Sequence, residues 1–287
     1  MIHRIKKAVQ RRIVGCLEYL AKRKRLCICE VRGHVIRLWV ESKIEKYRAK
    51  TYGTKEPETL DWIERYVQPG DVFYDIGANI GLYSIFTAKH MHGEGKVYAF
   101  EPEALNFARL SKNIQLNGLS GTVVPCCLAL SDSLCFDLLY LNPNNFEEMA
   151  GGELVAGTSL HSFGVARDYS GKSFRPFHTQ GTVGVSIDFL WQVWKLDFPN
   201  HLKIDVDGLE DKIIDGAART LEDRRLKSVL IEISAKKGGL DPIHNRLIQA
   251  GFVQVTDFPS HSSKQLAGSP YENCLNCVFV RMPQATS

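Results

Sequence analysis

The fold is decided by residues 71–84, DVFYDIGANIGLYS. Val72 to Ile76 is a short run of β-branched and aromatic residues, the signature of a buried strand. Gly77 and Gly81 interrupt it, and a helical pattern runs from Gly81 to about His90. Glycines at a strand-to-helix junction permit a tight turn and close backbone approach to a ligand. The helix start presents unpaired N–H groups to an anion. A second strand, KVYAF (96–100), ends at Glu101, 24 residues beyond Gly77. An acid there can accept hydrogen bonds from both hydroxyls of a ribose. Strand, glycine turn, helix, strand and acid together specify a nucleoside-bearing cofactor.

The turn reads Gly77-x-x-x-Gly81 with Asn79 at its centre. It lacks the G-x-G-x-x-G arrangement that brings backbone against a pyrophosphate, so a smaller anion such as the carboxylate of a methionine moiety fits better. A nicotinamide-dependent oxidoreductase would use the same turn and acid, and the missing third glycine position counts against it.

Outward from this motif, strands and helices alternate: a helix over Ala104 to Asn117, a strand in TVVPCCLAL, then HLKIDVD, SVLIEIS and FVQVTDF as strands. Helices are expected near 209 to 223 and 241 to 250. Such alternation predicts an α/β fold with a mostly parallel seven-stranded sheet and helices on both faces. The last strand, CLNCVFVRM, follows a connection without helical pattern and is expected to return antiparallel. Before the motif, LCICEVRGHVIRLWV (26–40) predicts a hairpin about Arg32-Gly33. A helix from Glu56 ends at Pro69-Gly70. Residues 131–186 break the rhythm. Rich in Gly, Ser and Asn, they still carry Phe146, Phe163, Tyr169, Phe174 and Phe177, too many aromatics for a disordered segment, and predict an ordered lid.

With 287 residues, 44% of them hydrophobic, the chain can build one large core without covalent staples. The absence of a long apolar span or a secretory leader pattern predicts a cytoplasmic protein. The eight cysteines read as small buried hydrophobes. Cys274-x-x-Cys277 lies in a strand pattern with no second pair to complete a zinc site. The net charge of +4 is uneven: residues 1–26 hold nine Lys or Arg against the single acid Glu18, a local +8, leaving −4 for the rest. That split argues against a surface built for nucleic acid. Ile2, Ile5, Val9, Ile13, Leu17 and Leu20 recur at helical intervals among these bases. The arm is therefore an amphipathic helix suited to an anionic membrane surface, to packing on the body or to a dimer contact.

A second motif, LKIDVDG (202–208), places Lys203, Asp205 and Asp207 on one face of a central strand if it stays extended. Three charges there are costly unless paired or functional. Ligands of open α/β sheets bind beyond the carboxyl ends of the strands, where Asp205 and Asp207 fall. Either can be a base that removes an acceptor proton, or can hold acceptor hydroxyls. The alternative is a Lys203–Asp205 ion pair with Asp207 capping a helix near Leu209. Nothing in the spacing demands a metal, and magnesium would suit the oxygen ligands if one bound.

In order, DIGANIGLYS, FEPEALNFARLSKNIQLNG, ALSD and HLKIDVDGLEDKIIDGAARTL over residues 55–235 resemble the FkbM family of methyltransferases. The resemblance implies a class I methyltransferase fold, Rossmann-like, over residues 55–287, with 1–54 as an extension. It implies S-adenosylmethionine as methyl donor and a hydroxyl of a saccharide or polyketide-like small molecule as acceptor. By position, Asp75, Gly77, Ala78, Asn79 and Gly81 would hold the methionine end, Glu101 with Pro102 the ribose, and Ala129, Leu130 and Asp132 the adenine edge. The family pattern carries Glu where Asp207 stands, one methylene longer, which favours Asp205 over Asp207 as base. A protein that keeps this fold but only binds a membrane or acidic partner is the non-enzymatic alternative. Weaker candidates are Glu232 at the end of SVLIEIS, Asp188 as a cap for the helix through Trp194, and His161, His178 and His201, each read first as surface or satisfied histidines.

Overall fold

A computed structural model describes residues 25–142, 152–168, 171–234, 242–256 and 274–282. The basic arm through residue 24, Phe146, Tyr169 and Cys16 lie outside them. The chain opens with a hairpin, β1 (Leu26–Val31) and β2 (His34–Trp39), and two helices, α1 (Lys43–Thr51) and α2 (Pro57–Tyr66). The deciding motif follows as β3 (Val72–Ile76), α3 (Leu82–His90) and β4 (Lys96–Phe100), then α4 (Ala104–Leu116) and β5 (Val123–Cys126). Next come four strands, β6 (Ala129–Leu130), β7 (Cys135–Leu141), β8 (Ser162–Phe163) and β9 (His178–Val185). The chain continues with α5 (Ile187–Gln192), β10 (His201–Ile204), α6 (Glu210–Asp215), α7 (Ala218–Glu222) and β11 (Ser228–Ser234). It closes with α8 (Pro242–Gln249), β12 (Phe252–Val255) and β13 (Cys274–Arg281).

Seven strands form the central sheet in the order β12-β13-β11-β10-β3-β4-β5. All neighbours pair in parallel except β13, which runs antiparallel to both β11 and β12, as the sequence predicts. Alternate residues feed two cores: Phe73, Val97 and Ala99 face one layer, Tyr74, Ile76, Tyr98 and Phe100 the other. Strands buried on both faces explain why these segments read as continuous apolar runs. The hairpin joins the first core through Ile36 and Leu38, both fully buried. Its β2 backbone is met by two side chains one helical turn apart on α4. Arg37 N–H and C=O bond the Asn117 amide at 2.9 and 2.7 Å, and Trp39 N–H donates to Asn113 at 2.8 Å.

Several expectations are corrected. TVVPCCLAL is two strands, because the chain leaves the central sheet after Cys126 and Ala129–Leu130 pairs with β9 instead. Residues 131–186, expected as an ordered lid without regular elements, contribute β7, β8 and β9, which with β6 form a second, four-stranded sheet. It is fastened to the main body where Gln180 donates to the Pro102 carbonyl at 2.6 Å and accepts from Ala104 N–H at 2.9 Å. The helix expected near 209–223 is two short helices broken at Gly216 and Ala217. Asp188 does not cap its own helix. Ser186 does, while Asp188 accepts from the backbone N–H groups of Arg219 and Thr220 and so caps α7. Cysteines 27, 29, 126, 135 and 277 are half-buried and Cys127 is exposed, so none of these six is the fully buried hydrophobe expected. Among the described residues, no helix is long and apolar enough to cross a membrane.

Candidate active site

At the carboxyl ends of β3, β4, β10 and β11 lies a cavity of ≈ 480 Å³, within the usual range for ligand sites. The glycine turn forms its floor. Gly77 has φ 80°, and a Cβ there would meet the carbonyl oxygen of Asp205 on the neighbouring strand, so only glycine lets β3 and β10 approach at this end. Gly81, φ 90°, begins α3 beneath Leu110. Asn79 is also left-handed at φ 50°, a conformation Asn tolerates best among residues with a side chain.

Glu101 ties this turn to β4. Its Oε2 accepts from Asn79 N–H at 2.8 Å and its Oε1 from Glu103 N–H at 2.9 Å. The carboxyl is buried at the cavity wall, and burial pushes it up to about 7. The Asn106 amide also bears on this carboxyl, and of the roughly four acceptor sites of a carboxylate one is left for a ligand. Pro102, Leu128, Ala129 and Leu130 continue the lining, as do Leu139 and Phe163 of the second sheet.

Of the residues expected to hold a cofactor, Gly77, Asn79, Glu101, Pro102, Ala129 and Leu130 line the cavity; Asp75, Ala78, Gly81 and Asp132 do not. Ala78 is buried within the turn. The Asp132 side chain is exposed and accepts from the Ser133 hydroxyl at 2.8 Å. Asp75 is fully buried behind the floor, accepting from the Ser84 hydroxyl at 2.6 Å and standing 3.3 Å from the Lys203 ammonium.

Lys203 is the buried counterion of the site, 3.2 Å from Asp205. Burial alone would lower its ammonium, but Asp205, Asp75 and Glu56 outweigh that and hold it above its ordinary range. β10 ends at Ile204, three residues earlier than its sequence pattern suggests, and Asp207 turns left-handed at φ 61°. The shared-face argument therefore holds from Lys203 to Asp205 and fails at Asp207. Asp207 does not cap the following helix either. Its Oδ2 accepts from Leu160 N–H at 2.8 Å, and burial and then Asp205 push it up to about 6. Glu210 takes the N–H groups of Gly208 and Val206.

Residues 156–161 close one side. Arg48 Nε donates to Gly157 O at 2.6 Å, Asn79 and Asn106 amides donate to Thr158 O at 2.6 and 3.0 Å, and Asp207 holds Leu160. His161 lies here, 3.0 Å from the Thr158 hydroxyl, and burial pushes it down to about 3, so it is neutral. His201 is buried at the opposite end of β10 between Ser228 and Asp71, and His178 is exposed. Neither lines the cavity.

Sequence reasoning missed Tyr47, Arg48, Lys55 and Glu56, which line the cavity from the N-terminal segment, and Asn276 from β13. Lys55 pairs with Glu56 at 2.6 Å, and the Tyr83 hydroxyl donates to Glu56 at 2.7 Å. Burial alone would raise Glu56, but Lys55, Tyr83 and Lys203 bring it to about 2. Glu232, a weak candidate by sequence, faces the cavity from β11; burial, then Asp205 and Asp207, push it up to about 9.

The chain resembles the hexuronic acid methyltransferase AglP of Haloferax volcanii, 26% identical over 75% of this chain and 76% of the relative. It also resembles the 31-O-demethyl-FK506 methyltransferase FkbM of Streptomyces tacrolimicus, 28% identical over 67% and 76%. Among solved structures, the tRNA m1G37 methyltransferase of M. jannaschii overlays with a TM-score of 0.43 at 17% identity, covering 90% of this chain and 55% of that one. So loose an overlay adds nothing to the sheet order described above. Residues 75–253, from the buried Asp75 behind the glycine turn to the start of β12, match the model of the FkbM methyltransferase domain. That stretch is more than half of the chain and contains both motifs from which the cavity floor is built. The chain belongs to the FkbM methyltransferase family.

Proposed function

We propose that this methyltransferase uses S-adenosylmethionine and transfers the methyl group, by in-line displacement, to a hydroxyl oxygen of a saccharide or polyketide-like small molecule. The observation that carries the reading is Glu101, buried at the cavity wall beside the glycine turn with an acceptor site left for a ribose. The residues present fit the cofactor. Leu128, Leu130, Leu139 and Phe163 offer an apolar slot for a base, and the surplus of Asp and Glu around the cavity suits a cation. When bound, the cofactor supplies a methyl on a positively charged sulfur that is already a good leaving group.

The protein then has to orient and to exclude water. Glu101 holds the ribose, and Gly77 lets the floor sit flat against Asp205. Asp205, anchored by Lys203, offers its outer oxygen to an acceptor hydroxyl. Asp207 spends its carboxylate on the 156–161 segment and so keeps that wall in place. One relative is named for hexuronic acid and another for a 31-O-demethyl substrate, which supports an oxygen acceptor on a polyhydroxylated molecule. Residues 1–26, with their local +8, would supply peripheral contact with an anionic membrane. Liposome sedimentation with and without them tests that contact.

Calorimetry tests the cofactor. Glu101→Ala removes the charge-assisted hydrogen bond to the ribose and should weaken S-adenosylmethionine binding about 10- to 100-fold. Equal affinity in both proteins sinks the assignment, and displacement of S-adenosylhomocysteine by NADH would point to a nicotinamide enzyme instead.

A further inference from the structure

The acids at the acceptor end of the cavity are not equivalent. Asp205 is held by Lys203, Asp207 by Leu160 N–H, Glu56 by Lys55 and Tyr83, and Glu210 by two backbone amides. Glu232 differs. It stands at the end of β11, one residue past the Ile204–Ile231 pair and so level with Asp205, and it lines the cavity. Among the described residues it has no hydrogen-bond or ion-pair partner. A carboxyl in a cavity wall with no partner among the described residues is placed for a ligand.

We infer that Glu232 is the catalytic residue that accepts the acceptor's proton, and that entry of the cationic cofactor converts it to the ionised form that can do so. The inference rests on the cofactor reading above. In the step itself the acceptor O–H bond breaks and its proton passes to a Glu232 oxygen. The freed electron pair forms the O–C bond to the methyl carbon, the C–S bond breaks, and its pair stays on sulfur, leaving a neutral thioether.

The surroundings explain why the cofactor is needed to ready the base. Facing Glu232 are Asp205 and Asp207 beyond β10, Glu210 on α6 and Glu56 ahead of α2, and their charges add to its burial. Together these push the group up to about 9. The nearby cations Lys203 and Lys55 are engaged with Asp75, Asp205 and Glu56, and Arg48 with Gly157. With no cofactor bound, Glu232 is therefore protonated at neutral pH and is a donor, not a base. A positive charge entering the cavity favours its ionised form. The proton goes to solvent, and the carboxylate is ready when the acceptor arrives.

Proton release can be measured without knowing the acceptor. Binding of S-adenosylmethionine and of S-adenosylhomocysteine is followed by calorimetry at pH 8 in two buffers of different ionisation enthalpy. At that pH Asp207, Glu101 and Glu210, pushed to about 6, 7 and 7, have already lost their protons, while Glu232 is about ten to one protonated. Wild type should release close to ~1 more proton with the sulfonium than Glu232→Gln does, and the two proteins should match with the neutral thioether. The ligands' own titration cancels between the two proteins. Asp205→Asn, which removes the first of the charges that raise Glu232, should reduce the release but less than Glu232→Gln does. An unchanged proton count in Glu232→Gln, or no excess release in folded wild type, overturns the inference while leaving cofactor binding intact. Failure of both ligands to bind overturns the cofactor reading and this inference with it. Glu232→Asp, which keeps an ionisable group, should retain the release and guards against a glutamine variant that folds poorly.

Discussion

Gly77 offers a test in which the chemistry of one methyl group can be separated into two costs. Gly70 and Gly77 both sit at positive φ, 91° and 80°. Placing alanine at either forces a side chain into the left-handed region, at roughly 1–2 kcal/mol. At Gly70 nothing lies within 4 Å of the new Cβ, so that is the whole cost. At Gly77 the Cβ would stand 1.9 Å from the carbonyl oxygen of Asp205 and 3.0 Å from its carbonyl carbon. Backbone cannot rotate away as a side chain can, so β3 and β10 must part at the end where Asp205 N–H bonds Ile76 O. Overpacking of this kind adds about 1–3 kcal/mol. Gly77→Ala should thus lower stability by about 2–5 kcal/mol against about 1–2 for Gly70→Ala, read as denaturant midpoints at unchanged m-value. It should also weaken S-adenosylmethionine binding, because the displaced turn is the cavity floor, whereas Gly70→Ala should bind as wild type. Equal midpoints and equal affinities for the two variants would refute the claim that the site end of the sheet depends on Gly77.

Lys203→Met should destabilise by about 3–5 kcal/mol, because it leaves Asp75 buried without its counterion. Adding Asp75→Asn should recover part of the loss; no recovery would mean the ammonium was packing rather than charge. Asp207→Ala removes the acceptor of Leu160 N–H, worth about 1–3 kcal/mol locally. Amide hydrogen exchange should rise over residues 156–161 and stay unchanged in the central strands, and uniform protection would exclude Asp207 as the anchor of that wall.

What could be read from sequence follows how local each feature is. Val72 to Glu101 contains a strand, its turn, a helix, the next strand and the ribose acid within 30 consecutive residues, so pattern and spacing suffice. The second sheet failed for a specific reason. Its glycines looked like loop punctuation, yet Gly181 and Gly184 are strand residues that leave room for aromatic rings. A Cβ at Gly181 would meet the Phe136 ring at 2.7 Å, and one at Gly184 the Phe163 ring at 2.6 Å. A ring crossing a glycine from a partner strand far along the chain leaves no local signature. Asp207 failed because a period-two argument assumes the strand continues, and the chain instead turns left-handed three residues after its last ladder pair.

The two halves of the cavity therefore have different origins. The floor and the ribose wall, Gly77 to Pro102, lie inside the stretch matched by the family model and are held by bonds between neighbouring segments of the sheet. The opposite rim draws Tyr47, Arg48, Lys55 and Glu56 from ahead of residue 75 and Asn276 from beyond residue 253. It borrows Thr158 to His161 from between β7 and β9. Those contributors meet only because Arg48 bonds Gly157, Asn79 and Asn106 bond Thr158, and Asp207 bonds Leu160. Every one of these contacts takes a lid carbonyl or amide to a side chain distant in sequence. The backbone of 156–161 is fixed by partners that also line the cavity, so a change of residue at Arg48 moves this wall without touching the turn beneath it. The rim can thus vary while the glycine turn is kept, and the sequence motifs report only on the turn.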